Sequence, residues 1–163
     1  MSVKWLHHCR DLEIECIKKV ITQQQIDNPA ILEIGAGDGY MSNALSKAGF
    51  DVTATDPAPR KPSKYNVQQM GGYDIKFEDS SFDIILSSNV LEHINDLPKA
   101  LAEMKRTLKP DGIMIHSVPT VYCNLATMVV QPLAYFKSLY LLFSGKAKIK
   151  VNKNRSKLFQ VLY

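Results

Sequence analysis

The chain has 163 residues, 45% hydrophobic and 22% charged, with a formal net charge of +4. These values suit one globular core and exclude collagen-like, repetitive and broadly disordered chains. The charge is uneven: no Asp or Glu follows Asp111, and six of the 20 basic residues lie between Lys146 and Lys157, leaving 14 basic against 16 acidic residues elsewhere.

The start, "MSVKWLHHCRDLEIEC", lacks a long apolar stretch and carries early acidic residues, so neither a secretory signal nor a transit peptide is expected. The three cysteines, Cys9, Cys16 and Cys123, are odd in number and lack metal-type spacing. Free thiols in a reducing cytoplasm follow. His7, His8 and Cys9 sit together but read better as part of an amphipathic helix than as a metal cluster, and no metal is expected.

Residues 3–26 predict that helix, with Leu6, Cys9, Leu12, Cys16 and Val20, joined by Trp5 and Ile17, as its apolar stripe. Asp27, Asn28 and Pro29 end it, because proline pushes its predecessor out of the α region. "AILEIG" predicts a buried strand. "YMSNALSKAG" predicts a helix with Met41, Ala44, Leu45 and Ala48 inward and Gly49 at its C-terminal cap. "DVTATD" predicts a second strand.

"PAPRKPSKYN" holds three prolines and cannot form a regular helix. "FDIILSS" predicts a strand buried on both faces. "NDLPKALAEMKRTLKPDG" predicts a helix capped by Asn95 or Asp96, with Leu97, Leu101, Met104 and Leu108 on one face and Pro110 as its stop. "GIMIHSVP" predicts another strand. Alternating strands and helices imply βαβ units and a parallel sheet. Beyond it, "VYCNLATMVVQPLAYFKSLYLLF" is interrupted by Gln131, Pro132 and Lys137, which favours two helices meeting at Pro132 over a membrane span. "KIKV" and "LFQVLY" read as two edge strands.

Gly35, Gly37 and Gly39 alternate between the first strand and its helix, and Asp56 ends the next strand. Residues without a β-carbon let a ligand approach unpaired N–H groups at a helix start. A carboxylate at the neighbouring strand end can accept bonds from both hydroxyls of a ribose. The pattern describes a nucleoside site at the crevice of an open α/β sheet. A dinucleotide site would read G-x-G-x-x-G, but its sixth position here is Tyr40. Glu33 and Asp38 would repel a pyrophosphate and suit a cation. S-adenosylmethionine, with an adenosine, a sulfonium and an ammonium, fits better than a nicotinamide dinucleotide.

"ILEIGAGDG", "FEDSSFDIILSSNVLEHI" and "LKPDGIMIHSVP" resemble three successive motifs of the class I S-adenosylmethionine-dependent methyltransferases, in the small-molecule branch. The resemblance covers about residues 28–119. It implies a three-layer, Rossmann-like, mostly parallel α/β sheet of order 3-2-1-4-5-7-6 with helices on both faces, here shortened after strand five. One domain spans 1–163, with a cofactor-binding core at 28–119 and an apolar helical segment and basic tail at 120–163. Gly35, Ala36 and Gly37 would approach the methionine part, with Glu33 near its ammonium. Asp56 would bind the ribose and Pro57 would lie by the adenine. Ser88, Asn89 and Val90 would line the sulfonium side. His93 is a candidate base, since a free imidazole titrates near ~6.5; His116 reads as a core or lip residue.

Two departures stand out. The segment after Asp56 is too short and proline-rich for the family's usual helix. The acidic residue that meets the adenine amine is replaced by Gly71 or Gly72, with Asp74 as a substitute. The resemblance implies methyl transfer by in-line displacement to a small-molecule or amphipathic acceptor, in the cytoplasm or at a membrane surface reached through 121–157. The rival is a non-catalytic or weakly cofactor-binding module acting through a partner. A nucleic-acid acceptor rests on the tail charge alone and is disfavoured.

Overall fold

Two strands form the centre because their residues are apolar on both faces: Ala30–Ile34 (β1) and Phe82–Ser88 (β4). They pair in parallel, with Glu33 opposite Leu86 and Ile34 opposite Ser87. The computed structural model describes residues 3–120, with side chains from Arg10 onward. Contacts divide the chain after Pro119, and the description concerns the unit before that point. The remaining elements there are α1 (Val3–Gln23), α2 (Tyr40–Lys47), β2 (Asp51–Asp56), β3 (Val67–Gln69), α3 (Leu97–Thr107) and β5 (Leu108–Ser117).

The sheet is wholly parallel, in the order β3-β2-β1-β4-β5. That is the first five positions of the order implied by the resemblance, and the fold is Rossmann-like. The expected apolar helices, two further strands and basic tail lie outside the described residues. Among the described residues no helix is long and apolar enough to cross a membrane.

Helices cover both faces. On one, Ile14, Ile17 and Ile21 of α1 and Met41 and Leu45 of α2 pack on Ile31, Val52, Ile84 and Leu86. On the other, Ala100 and Met104 of α3 pack on Leu32, Ile34 and Ile85. Alternation along each strand delivers one residue set to each face.

The stripe expected to bury α1 is corrected. Leu12 is 57% exposed and Val20 37% exposed, and Cys16 is exposed as well. Leu6 and Cys9 have no described side chains. Ile17 of the expected stripe is buried, together with Ile14 and Ile21, and these three β-branched residues form the face that packs on the sheet. In α2 the inward set gains Ser42 and loses Ala48, which lies past the last helical turn. Gly49 follows with φ +96°, and the Phe50 N–H closes on the Leu45 carbonyl at 3.2 Å. In α3, Asp96 is the cap, accepting the Lys99 N–H at 3.2 Å. Its buried face is Ala100, Met104 and Thr107. Leu108 already begins β5, so the helix stops before Pro110.

Between β2 and β3, residues 57–66 form no helix, as their prolines dictate. The loop is nonetheless fixed. The Arg60 N–H donates to the Gly37 carbonyl at 3.0 Å and the Lys64 N–H to the Asp38 carbonyl at 2.6 Å.

Candidate cofactor and active site

The C-terminal edges of β1, β2 and β4 meet where the chain crosses from one half of the sheet to the other, the place where open α/β sheets bind ligands. A cleft of about 260 Å³ opens there. Glu33, Gly35, Ala36, Gly37, Asp56 and Pro57 line one side of it, and Ser88, Asn89, Val90 and His93 the other. Asp74 is exposed on the turn after β3 and does not line the cleft.

The glycine loop is held to β2 by its backbone. The N–H groups of Gly35 and Ala36 donate to the Thr55 carbonyl at 2.8 and 2.9 Å. The glycines then do different work. A β-carbon on Gly35 would stand 2.3 Å from Val90 Cγ2, so its missing side chain makes room for Val90. Gly37, at φ +60°, would meet only Arg60 Nε, at 3.9 Å. The open face expected of the loop is therefore at Gly37.

Asp56 stands at the tip of β2. Its Oδ2 accepts the Gly37 N–H at 2.9 Å and its Oδ1 accepts the Ala58 N–H at 2.8 Å. Each carboxylate oxygen has a second lone pair for a ligand hydroxyl. Glu33, 3% exposed on β1, accepts a bond from the Ser42 hydroxyl. Burial pushes its carboxyl up to about 7, against the opposing influence of Ser42 and Arg10.

The opposite wall is a network. Ser88 Oγ donates to Glu13 Oε1 at 2.5 Å and accepts from Arg10 Nη1 at 2.5 Å and Asn89 Nδ2 at 3.0 Å. Arg10 also pairs with Glu13 at 3.1 Å. Asn89 takes the left-handed φ of +52° and its N–H reaches the Ser117 carbonyl at 2.8 Å, tying the loop to β5. His93 lies on a short 3-10 turn, exposed, with its N–H on the Val90 carbonyl at 2.9 Å. His116 faces Ser87 instead, Nδ1 to Oγ at 2.8 Å, and burial lowers its pKa.

Arg10, Tyr40 and Arg60 line the cleft, and the sequence reading proposed none of them for the site. Tyr40 OH donates to Asp11 at 2.7 Å, linking α2 to α1. Arg10 lies 78 positions before Ser88, and no local pattern announces such a contact. Arg60 was legible in principle, as the first cation after Asp56.

The methyltransferase domain family matches residues 7–151. The chain belongs to this family. The ubiquinone biosynthesis O-methyltransferase of Hydrogenovibrio crunogenus is 30% identical over 124 residues, 69% of this chain and 50% of that protein. A protein named uncharacterized methyltransferase in Mycobacterium sp. (strain KMS) is 32% identical over 94 residues, 53% of this chain and 37% of that one. The chain thus spans half or less of the length of these curated relatives. Among solved structures, the PH0226 protein of Pyrococcus horikoshii superposes with a TM-score of 0.56 at 22% identity, covering 66% of this chain and 57% of that one. The YcgJ protein of Bacillus subtilis gives 0.50 at 28% identity, covering 68% and 50%.

The cofactor of this methyltransferase domain is S-adenosylmethionine. The cleft fits it: an open glycine face, a carboxylate with spare lone pairs at the next strand end, and a buried acid beneath. Among the described residues no cluster of His, Cys, Asp and Glu could hold a metal.

Proposed function

We propose that this chain methylates a small-molecule or amphipathic acceptor in the cytoplasm or at a membrane surface. The observation that carries the proposal is the pairing of Asp56 with the open face of Gly37 inside one cleft. Bound there, S-adenosylmethionine supplies an electrophilic methyl group on a cationic sulfur. Glu33 and Asp56 offer negative charge to such a ligand, and Arg10 offers a cation to its carboxylate. Ser88, Asn89 and Val90 form the wall opposite the glycine loop and limit how an acceptor enters. Holding two reactants in near-attack geometry is worth ~7–11 kcal/mol, so orientation is the main task of these residues. His93, exposed at the cleft wall, can receive a proton from an acceptor that must lose one. The name of the Hydrogenovibrio relative, an O-methyltransferase, supports an oxygen acceptor.

The test is calorimetry with S-adenosylmethionine and S-adenosylhomocysteine, followed by methyl transfer to a panel of phenols and amines. Binding of both with turnover of one panel member supports the reading. A second reading, a weakly binding module acting through a partner, is favoured by one observation: Asp74 stands outside the cleft, leaving the adenine side without the acid usual in the family. Folded protein that releases no heat with either compound would select the module.

A further inference from the structure

Resting on the methyl-transfer reading, we infer that the acceptor carries an anionic group, a carboxylate or a phosphate, recognised by Arg60 at the mouth of the cleft. Acids and arginines together line the cleft. Glu33, Asp38 and Asp56 line it beside the glycine loop. Of the loop after Asp56, Pro57 and Arg60 line the cleft, and Lys61 and Lys64 are not in its lining. From Pro57 to Tyr73 the chain has three cations, Arg60, Lys61 and Lys64, and no acidic residue.

That loop is held in place. The Arg60 N–H is bound to the Gly37 carbonyl at 3.0 Å. Four residues on, the Asp38 carbonyl receives both the Lys64 N–H at 2.6 Å and the Ser63 hydroxyl at 3.1 Å. Tyr65 OH reaches back to the Val52 carbonyl at 3.0 Å. A side chain carried on such a loop has a fixed root, and less of its freedom is lost when it binds.

The acids of the cleft are engaged elsewhere. Glu33 takes the Ser42 hydroxyl, Asp38 the Tyr40 N–H at 3.2 Å, and Asp56 the N–H groups of Gly37 and Ala58. The other cleft cation, Arg10, is bound to Glu13 and Ser88. Among the described residues no carboxylate forms an ion pair with Arg60, which is exposed. A planar guanidinium is shaped to hold two anionic oxygens at once. S-adenosylmethionine brings one carboxylate and two cations, whereas S-adenosylhomocysteine lacks the sulfonium charge, so a cleft loaded with the latter tests Arg60 without a net charge from the cofactor.

The experiment uses the whole chain saturated with S-adenosylhomocysteine, and titrates benzoate, phenyl phosphate, benzamide and benzylamine by NMR. Expected is tighter binding of an anion than of benzamide by about 5-fold, the range of an exposed ion pair. Whether benzoate or phenyl phosphate leads assigns the group. Arg60→Gln should abolish the preference and Arg60→Lys should restore part of it, with thermal melting unchanged and every titration run at saturating S-adenosylhomocysteine. Equal binding of anion and amide, no binding of any probe, or a preference that survives Arg60→Gln would overturn the inference. So would a loss of S-adenosylhomocysteine affinity in Arg60→Gln, which would assign the side chain to the cofactor. Failure of the native chain to bind S-adenosylhomocysteine shows before any probe is added, and strikes the methyl-transfer reading itself.

Discussion

Asp56 at the end of β2 accepts the backbone N–H of Gly37, in the loop after β1, at 2.9 Å. One carboxylate thereby shapes the glycine loop and offers its remaining lone pairs to a ligand.

Asp56→Ala should therefore do two things. Cofactor affinity should fall by about 10- to 100-fold, and stability should fall by ~1–3 kcal/mol, because the Gly37 and Ala58 N–H groups lose a charged acceptor. Calorimetry and urea denaturation measure the two separately. Unchanged affinity would remove Asp56 from the site; unchanged stability would mean water replaces it without cost.

The two glycines separate folding from binding. Gly35→Ala drives a β-carbon to 2.3 Å from Val90 Cγ2 and should destabilise the fold, with Val90→Ala relieving the contact but not the strain of the left-handed φ of +75° in the double variant. Gly37→Ala meets nothing nearer than 3.9 Å, so its folding cost is confined to the left-handed backbone, about 1–2 kcal/mol. Gly37→Val should remove cofactor binding while the protein still folds. Thermal melts beside S-adenosylhomocysteine titrations test the contrast.

The parallel strands, the cap of α3 and the loop after β2 were legible because local chemistry decides them: apolar runs, Asp96, and the prolines at 57–62; the strand order came from the family resemblance. Ten of the eleven residues proposed for the site, all but Asp74, line the cleft, and they sit in three short motifs at strand ends. The face of α1 was not legible. Apolar residues lie on more than one side of that helix; Ile17 was expected inward, but only packing on the sheet adds Ile14 and Ile21 and leaves Leu12 and Val20 outside. Arg10 escaped for the same reason, since it acts at the end of β4, far along the chain.

That choice of face is measurable. Ile17→Ala removes buried atoms from the core and should cost ~2–5 kcal/mol. Leu12→Ser, on the exposed stripe, should change stability by no more than ~0.5 kcal/mol. The expected stripe contains both residues, so the periodicity alone would assign a large loss to Leu12 as well. Chemical denaturation of both variants decides between the two faces, and a loss at Leu12 equal to that at Ile17 would mean the Leu12 face is covered in the full protein.

Glu33 couples the site to pH. Its ordinary value is 4.5 and its folded value is about 7, so the native protein holds this proton more tightly than the unfolded chain. The resulting stability is fully present below 4.5 and is lost as pH rises through 7, where a buried carboxylate must ionise. The loss amounts to ~3 kcal/mol. The described charges nearest it, Arg10 and Glu13 on α1, act in opposite directions. Glu33→Gln cannot ionise, so its stability relative to native protein should climb between pH 5 and 8. Affinity for the cationic cofactor should run the other way: the native protein should bind more tightly as pH rises through 7, while Glu33→Gln binds weakly at every pH. Urea denaturation and calorimetry at matched pH values follow the two trends. If native and Glu33→Gln proteins show the same pH dependence in both, the buried carboxyl is not the titrating group.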